Sequence, residues 1–409
     1  MRDRSASLSL FALIAAGAVV ELAFAGLGTS NSFDVQGFLI TAGDLHADPL
    51  QVYDSMRWPY PPGLMPWLFV ATEISTGGLA FDLALRLPQV LANVGIALIV
   101  YDLLARRGLP EQARLIASGL VLLGPVFLAV LYHGQIDSFA TLFAIAAVWA
   151  WERGVARRAL TVGLLIGLGA AVKTVPIFML FALLPWARDA KERVTLVLAA
   201  FAVPLLALAP FLIADGPDTV EALRSNQGIP GLGGLSLALI GGVQSTDGIA
   251  FTGGLVDFWR DLFGIDSVAV ALRLLELQQL IVAVAVLATG ALVWRRKVAP
   301  VEGAALIWLA VLALNPNFAW QYLIWGLPFF IAAGFVVESL VLQLLAAVPL
   351  ALYFFPLEPS KQVADYVYTP LALVVWLALV VALVIAVTRI IRMRPEPAVM
   401  PAVDARAVT

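Results

Sequence analysis

The chain has 409 residues, 61% of them hydrophobic and only 13% charged, whereas a soluble domain carries nearer 45–50% apolar and about 25% charged residues. A soluble globule is excluded, and the long apolar blocks predict an all-α polytopic membrane bundle, each crossing taking about 20 apolar residues. With no Cys, two His and a net charge of −3, disulfides, thiolate chemistry and a His-rich metal centre are excluded.

In chain order, the first apolar block, Leu8 to Leu27, follows MRDRSAS and is too long for a signal h-region of 7–15 residues. It is read as a retained first span. The chain then enters its densest polar stretch, NSFDVQGFLITAGDLHADPLQVYDSMRWPYPPG, within a first outer loop over 28–83 expected to be partly helical. Pro61-Pro62-Gly63 reads as a helix start, because Pro is welcome in a first turn.

Further spans are expected over 84–105, 112–131, 136–151, 159–172, 174–187, 194–213, 268–294, 303–314, 319–336, 339–356 and 369–391, about twelve in all. The blocks 159–172 and 174–187 are short for a crossing of about 30 Å. Basic clusters on both sides favour a hairpin with its apex at Lys173-Thr174, where Pro176 eases a break. Half-crossing segments are tolerated only where they line an enclosed or watered cavity.

Alternate loops collect the basic residues, from Arg2 and Arg4 to Arg389, Arg392 and Arg394, with 18 of the 25 Lys and Arg on one side. The positive-inside rule makes that side cytoplasmic. Both termini are then inside, and the first outer loop and a late outer loop over 214–267 lie outside. Residues 1–394 form a single transmembrane domain in this reading, and 395–409 a disordered cytoplasmic tail. The role of the Gly-rich stretch within 228–254 stays open.

Four clusters meet the same outer face despite lying almost 300 residues apart. They are Phe33-Asp34-Val35-Gln36 with Arg57-Trp58-Pro59-Tyr60, then Tyr132-His133-Gly134-Gln135-Ile136-Asp137, then Lys173-Thr174, and finally Asn315-Pro316-Asn317-Phe318-Ala319-Trp320-Gln321-Tyr322. One shared cavity accounts for them better than four independent loops. A carboxylate beside an acceptor hydroxyl can take its proton, and Asp34 and Asp137 are the candidates. Lys173 and Arg57, with His133 and Arg86 behind them, suit an anionic phosphate at the membrane boundary. Trp58, Tyr60, Trp320 and Tyr322 can stack on a sugar ring, although aromatic residues near span ends are also ordinary interface anchors. Asp44, Asp48 and Asp54 are rival carboxylates of the same loop. There is no GxxxxGK[ST], no HExxH and no Asp-x-Asp pair, so no metal site and no cofactor is expected.

The ordered set of motifs resembles the GT-C superfamily of integral-membrane glycosyltransferases that use polyprenyl-phosphate sugars. The loop Asp followed by YPP, the HGQID segment, the run GLLIGLGAAVKTVPIFML and the late FAWQYLIWGLPFF carry the resemblance. Within it the motifs resemble bacterial polyprenol-phosphate-mannose mannosyltransferases and dolichyl-phosphate-glucose glucosyltransferases. It implies an inverting transfer, most naturally of mannose, from a polyprenyl-phosphate donor to a lipid-linked or cell-envelope acceptor. In that family the Asp of the first outer loop is the catalytic base, which falls on Asp34. Arg57, Tyr60, His133, Gln135, Asp137, Lys173, Gln321 and Tyr322 are the expected substrate-binding residues. The implied partners are the donor, the acceptor and membrane lipids, with no nucleic acid, and the location is a bacterial plasma membrane with the site outside. A lipid-linked sugar flippase or transporter is the alternative of another class, although no inverted repeat is visible. An O-antigen-type polymerase or ligase would place its chemistry in the late outer loop.

Overall fold

A computed structural model describes residues 2–28, 33–225, 230–244, 250–251, 253–354 and 364–392. Eighteen α-helices occur among the described residues. The N-terminal part runs α1 (Arg2–Leu27), α2 (Phe33–Ala47), α3 (Met65–Ile74), α4 (Gly78–Arg106), α5 (Glu111–Leu122) and α6 (Pro125–His133). The middle comprises α7 (Asp137–Arg153), α8 (Arg158–Val172), α9 (Met179–Leu183), α10 (Ala190–Ser225), α11 (Leu235–Ile240) and α12 (Gly253–Phe263). The last part is α13 (Ser267–Glu276), α14 (Gln278–Arg296), α15 (Pro300–Leu314), α16 (Leu323–Ala332), α17 (Val336–Phe354) and α18 (Thr369–Arg392). The only strand pairing among the described residues is a two-residue antiparallel ladder, Val243–Gln244 with Ala250–Phe251.

The protein is an integral-membrane helical bundle, as its composition requires. Seven helical stretches are long and apolar enough to cross a membrane, and Arg158–Val172, Val175–Trp186 and Pro300–Leu314 are shorter apolar segments. The tally of about twelve full spans is therefore not reproduced. The expected span 268–294 is interrupted at Leu277, between α13 and α14, and α13 carries an exposed Arg273–Glu276 pair. The expected span 319–336 opens on a single 3-10 turn, Trp320–Tyr322, before α16. The first outer loop is helical as expected, through α2 and α3.

The short pair around Lys173 is a hairpin. Arg158, at the start of α8, binds Glu192 near the start of α10 at 2.7 Å. Lys297 Nζ donates to the Pro185 carbonyl at 2.6 Å, and Trp186 Nε1 donates to the Val298 carbonyl at 2.8 Å. The chain thus leaves and returns to one end of the bundle, with Lys173 and Thr174 at the other.

The loops that charge counting groups on one side do meet at this basic end. Arg153 reaches Asp102 at 2.5 Å, and Arg107 reaches Glu302 at 2.7 Å. Residues 395–409, expected to form a disordered tail, lie outside the described residues.

Glycine sets the closest packing near the hairpin. A Cβ on Gly167 would stand 2.9 Å from the Ala200 carbonyl of α10, and one on Gly169 would stand 3.0 Å from Phe143 Cβ of α7. Small residues let helix backbones approach within a membrane bundle. The Gly-rich run of α8 is thereby drawn between α7 and α10, which brings the residue ending it beside the start of α7.

Candidate active site

The HGQID segment makes a tight reversal between two helices. His133 is the last residue of α6, Gly134 follows in the left-handed conformation at φ +81°, and Asp137 opens α7. The Gln135 amide closes the turn on the Val130 carbonyl at 3.1 Å. Glycine is the residue that adopts this helix-ending conformation without a Cβ penalty. Three residues of connection therefore deliver His133, Gln135 and Asp137 to one place.

Asp34 comes to the same place from the first outer loop, in the first turn of α2. Gln135 Nε2 donates to Asp34 Oδ2 at 2.6 Å and lies 3.0 Å from His133 Nδ1. His133 Nδ1 is itself 3.3 Å from Asp34 Oδ2. About a quarter of the Asp34 side chain (28%) remains accessible. Burial pushes the Asp34 carboxyl above its ordinary pKa and the Asp137 charge adds to the rise, while the Gln135 hydrogen bond and the Lys173 charge pull it down. A carboxyl so placed is a better proton acceptor than a free one once ionised.

Asp137 has a different setting. Its side chain is fully buried, and its Oδ1 accepts from Lys173 Nζ at 2.7 Å and from Trp325 Nε1 at 2.5 Å. Its Oδ2 is buried without a protein hydrogen-bond partner. Lys173 is the first extended residue after α8, and its ammonium lies 5.0 Å from the centre of the Tyr60 ring and 5.2 Å from those of Tyr322 and Trp325. Ring faces attract a desolvated cation. The cage has a backbone cause. A Cβ on Gly63 would collide with the Ala171 carbonyl, so the Pro61-Pro62-Gly63 turn can sit directly on the end of α8 and carry Tyr60 to Lys173. Tyr53 Oη fixes that turn by donating to the Tyr60 carbonyl at 2.9 Å.

Seven of the expected residues thus fall in two neighbouring sets, Asp34, Gln135 and His133 joined by polar contacts and Asp137, Lys173, Tyr60 and Tyr322 by an ion pair and ring contacts, and the charges of Lys173 and Asp137 act on Asp34. Gln321 is buried next to Tyr322, and its Oε1 has no protein hydrogen-bond partner. Arg57 is exposed, on the loop just before the buried Trp58.

Three expectations need correction. Arg86 is not available to a phosphate, because its guanidinium donates to the Leu131 carbonyl at 2.9 Å and the Tyr132 carbonyl at 3.0 Å while binding Asp82 at 2.8 Å. It caps the end of α6 and thereby steadies His133. Trp58 and Trp320 are buried structural residues rather than open stacking platforms, their Nε1 groups donating to the Pro61 carbonyl and to Tyr368 Oη.

Sequence reasoning missed Trp325 and Tyr353. Trp325 lies three residues after Tyr322, and the two rings stack at 4.0 Å; this i, i+3 spacing within the late motif was a usable signal. Tyr353, stacked on His133 at 6.5 Å, sits in the apolar α17 with no local cue. Also unforeseen is a group of carboxylates away from Lys173. Asp54, Asp215 and Asp218 have oxygens within 4.8 Å of one another, brought together where α10 loses helical geometry at Asp215.

Residues 62–214 match the family model described as dolichyl-phosphate-mannose-protein mannosyltransferase, which agrees with the GT-C resemblance carried by the motifs. The matched part contains His133, Gln135, Asp137 and Lys173 but not Asp34, Tyr60 or the late motif. No curated protein matches the chain. Among solved structures it is similar to the oligosaccharyltransferase of Archaeoglobus fulgidus in its apo form, at 16% identity and a TM-score of 0.40, over 95% of this chain and 56% of that one. The same enzyme tethered to an acceptor peptide containing the NVT sequon gives 16% and 0.39, with the same coverages. The archaeal oligosaccharyltransferase AglB in complex with an inhibitory peptide and a dolichol-phosphate gives 15% and 0.39, again with those coverages. The chain spans a little over half the length of these structures.

Proposed function

We propose that the chain is a membrane glycosyltransferase that takes a sugar, most naturally mannose, from a polyprenyl monophosphate and passes it with inversion to a hydroxyl of a lipid-linked or cell-envelope acceptor. The reading places the reaction on the non-cytoplasmic face, within one transmembrane domain over residues 1–394. Its main support is the juxtaposition of a partly accessible carboxylate, Asp34, with the enclosed Asp137–Lys173 pair and its aromatic walls. The match to a mannosyltransferase family over residues 62–214 supports the choice of chemistry and of sugar.

Asp34 takes the acceptor hydroxyl proton as the oxygen attacks the anomeric carbon. The bond from that carbon to the phosphate oxygen breaks, and the polyprenyl phosphate leaves with the electron pair from the opposite face. Gln135 orients the carboxylate, and His133 stands beside it, 3.3 Å from Asp34 Oδ2. Lys173 contributes fixed positive charge where charge builds on the leaving phosphate, an arrangement that costs no reorganisation during the reaction. Arg57, exposed on the loop that bears Tyr60, supplies the reach that a caged lysine lacks. Tyr60, Tyr322 and Gln321 bound the sugar subsite.

The test is Asp34→Asn in purified protein supplied with a polyprenyl-phosphate sugar. Loss of a general base costs about 10²-fold or more, so transfer should fall at least that far with donor binding retained. Retention of more than about a tenth of the activity, on the same scale, would remove Asp34 from the role of base.

A further inference from the structure

Helix α12 reads GGLVDFWRDLF. At 100° per residue, Leu255, Val256, Phe258, Trp259, Leu262 and Phe263 fall on one face and Asp257, Arg260 and Asp261 on the other, the pattern of a surface helix that buries one side. Leu255, Val256 and Trp259 of that apolar face are half-buried, and the other three are exposed. Trp259 is partly buried, and its Nε1 donates to the Ala238 carbonyl of α11 at 2.9 Å. Phe258, Leu262 and Phe263 remain 46%, 63% and 55% exposed.

The polar face is satisfied within itself. Arg260 binds Asp257 at 2.5 Å and Asp261 at 3.1 Å. These three charges sum to −1, so the helix offers no basic attraction to anionic lipid.

What covers the exposed edge follows from its continuity with the lipid-facing surface. Helix α12 is joined through Gly264 and the exposed Ile265 to α13, which leads into the apolar α14 across the single residue Leu277. The outward stripe of α14, Leu280, Val284 and Leu287, is 61%, 56% and 56% exposed. In a chain that crosses a membrane, such a stripe faces acyl chains. Helix α14 begins at the end of the bundle that holds the candidate site, because its other end carries Arg295 and Arg296.

We infer that α12 lies in the interface of the same bilayer that α14 crosses, with Phe258, Leu262 and Phe263 at the headgroup–acyl boundary and Asp257, Arg260 and Asp261 in water. An interfacial helix of this kind is held by buried apolar area and, where it is basic, by anionic lipid; here only the first contribution is present. The contact reaches the site. The backbone amide of Ser236, in α11, donates to the Pro316 carbonyl at 2.8 Å, and Gly234 packs so tightly on the Asn315 and Pro316 backbone that a Cβ would collide. The bilayer thereby braces, through α12 and α11, the segment that leads into Gln321 and Tyr322.

The absence of native Cys makes the test direct. Phe258→Cys, Leu262→Cys, Phe263→Cys, Asp257→Cys and Asp261→Cys are made singly in the full chain, spin-labelled and placed in nanodiscs of phosphatidylcholine. Collision with molecular oxygen and with a water-soluble nickel chelate is then measured. Positions 258, 262 and 263 should favour oxygen, and 257 and 261 the nickel chelate. Equal access of nickel to both faces would overturn the inference, as would closure of 258, 262 and 263 to both reagents, which would mean that protein covers them. The pattern should persist when phosphatidylserine is added or withheld, and its appearance only with anionic lipid would overturn the apolar account.

Discussion

Asp34 and Asp137 open two helices, α2 and α7, at the same end of the bundle, and both therefore sit where the helix dipole favours a negative charge. Their surroundings drive them apart. Asp137 is fully buried and answered by a lysine and an indole N–H, so its charge is already neutralised. Asp34 receives an amide from Gln135 and has His133 beside it, keeps about a quarter of its side chain accessible and has its pKa raised by burial. A carboxylate already bound to a cation is a poor proton acceptor, and one hydrogen-bonded to a neutral amide keeps more of its basicity. Of the two acids, Asp137 anchors the aromatic cage around Lys173 and Asp34 is the more accessible.

This contrast is open to attack first at the anchor. Asp137→Ala leaves Lys173 buried and unpaired, a change that costs about 3–5 kcal/mol for a buried pair. A large fall in thermal unfolding temperature in detergent is expected, while Asp137→Asn combined with Lys173→Met should recover much of it by removing both charges. If Asp137→Ala unfolds no earlier than the parent protein, the pair is not the anchor.

A smaller effect is expected at Trp325. Hydrogen bonds to charged groups contribute about 1.5–3 kcal/mol, and Trp325→Phe removes the N–H given to Asp137 while keeping a ring beside Tyr322. Stability should drop within that range and transfer only a few-fold. An unchanged unfolding temperature would show that the 2.5 Å contact contributes nothing net.

The finest test concerns the pH dependence of Asp34. A base must be ionised, so transfer falls as pH drops through its pKa, and burial places that acid limb above the ordinary carboxylate range. The Gln135 hydrogen bond opposes the rise; Gln135→Leu should therefore move the limb to still higher pH, with activity partly recovered on the alkaline side. A limb that stays in place, or moves down, would detach Gln135 from Asp34. Asp137→Asn should not reproduce this upward shift, because removing the Asp137 charge lowers the pKa of its neighbour.

Much of this candidate site is legible in the sequence. The HGQID segment names its own chemistry, since a glycine that ends a helix next to His, Gln and Asp gathers polar side chains at one turn. Lys173 was legible as the apex of a hairpin too short to cross a membrane, and the ion pair of Arg158 with Glu192 bears that hairpin out. Arg86 was misread because an arginine near the end of a span looks the same whether it faces a phosphate or caps a neighbouring helix. The continuous apolar run 268–294 concealed the boundary between α13 and α14 at Leu277, for hydropathy records how apolar a segment is and not where one helix ends.

The sequence by itself determined that this is a helical membrane protein, that its basic loops gather at one end, and that the polar motifs face the other. Those are consequences of local composition, because apolar length and loop charge act on each segment separately. Only the tertiary structure decided which carboxylate is paired, which cation is caged, and that Trp325 and Tyr353 belong to the site. These depend on distances across α2, α7, α8, α16 and α17, fixed by glycine-to-backbone approaches such as Gly63 on Ala171 and Gly169 on α7, and no pattern along a single segment encodes a distance between segments.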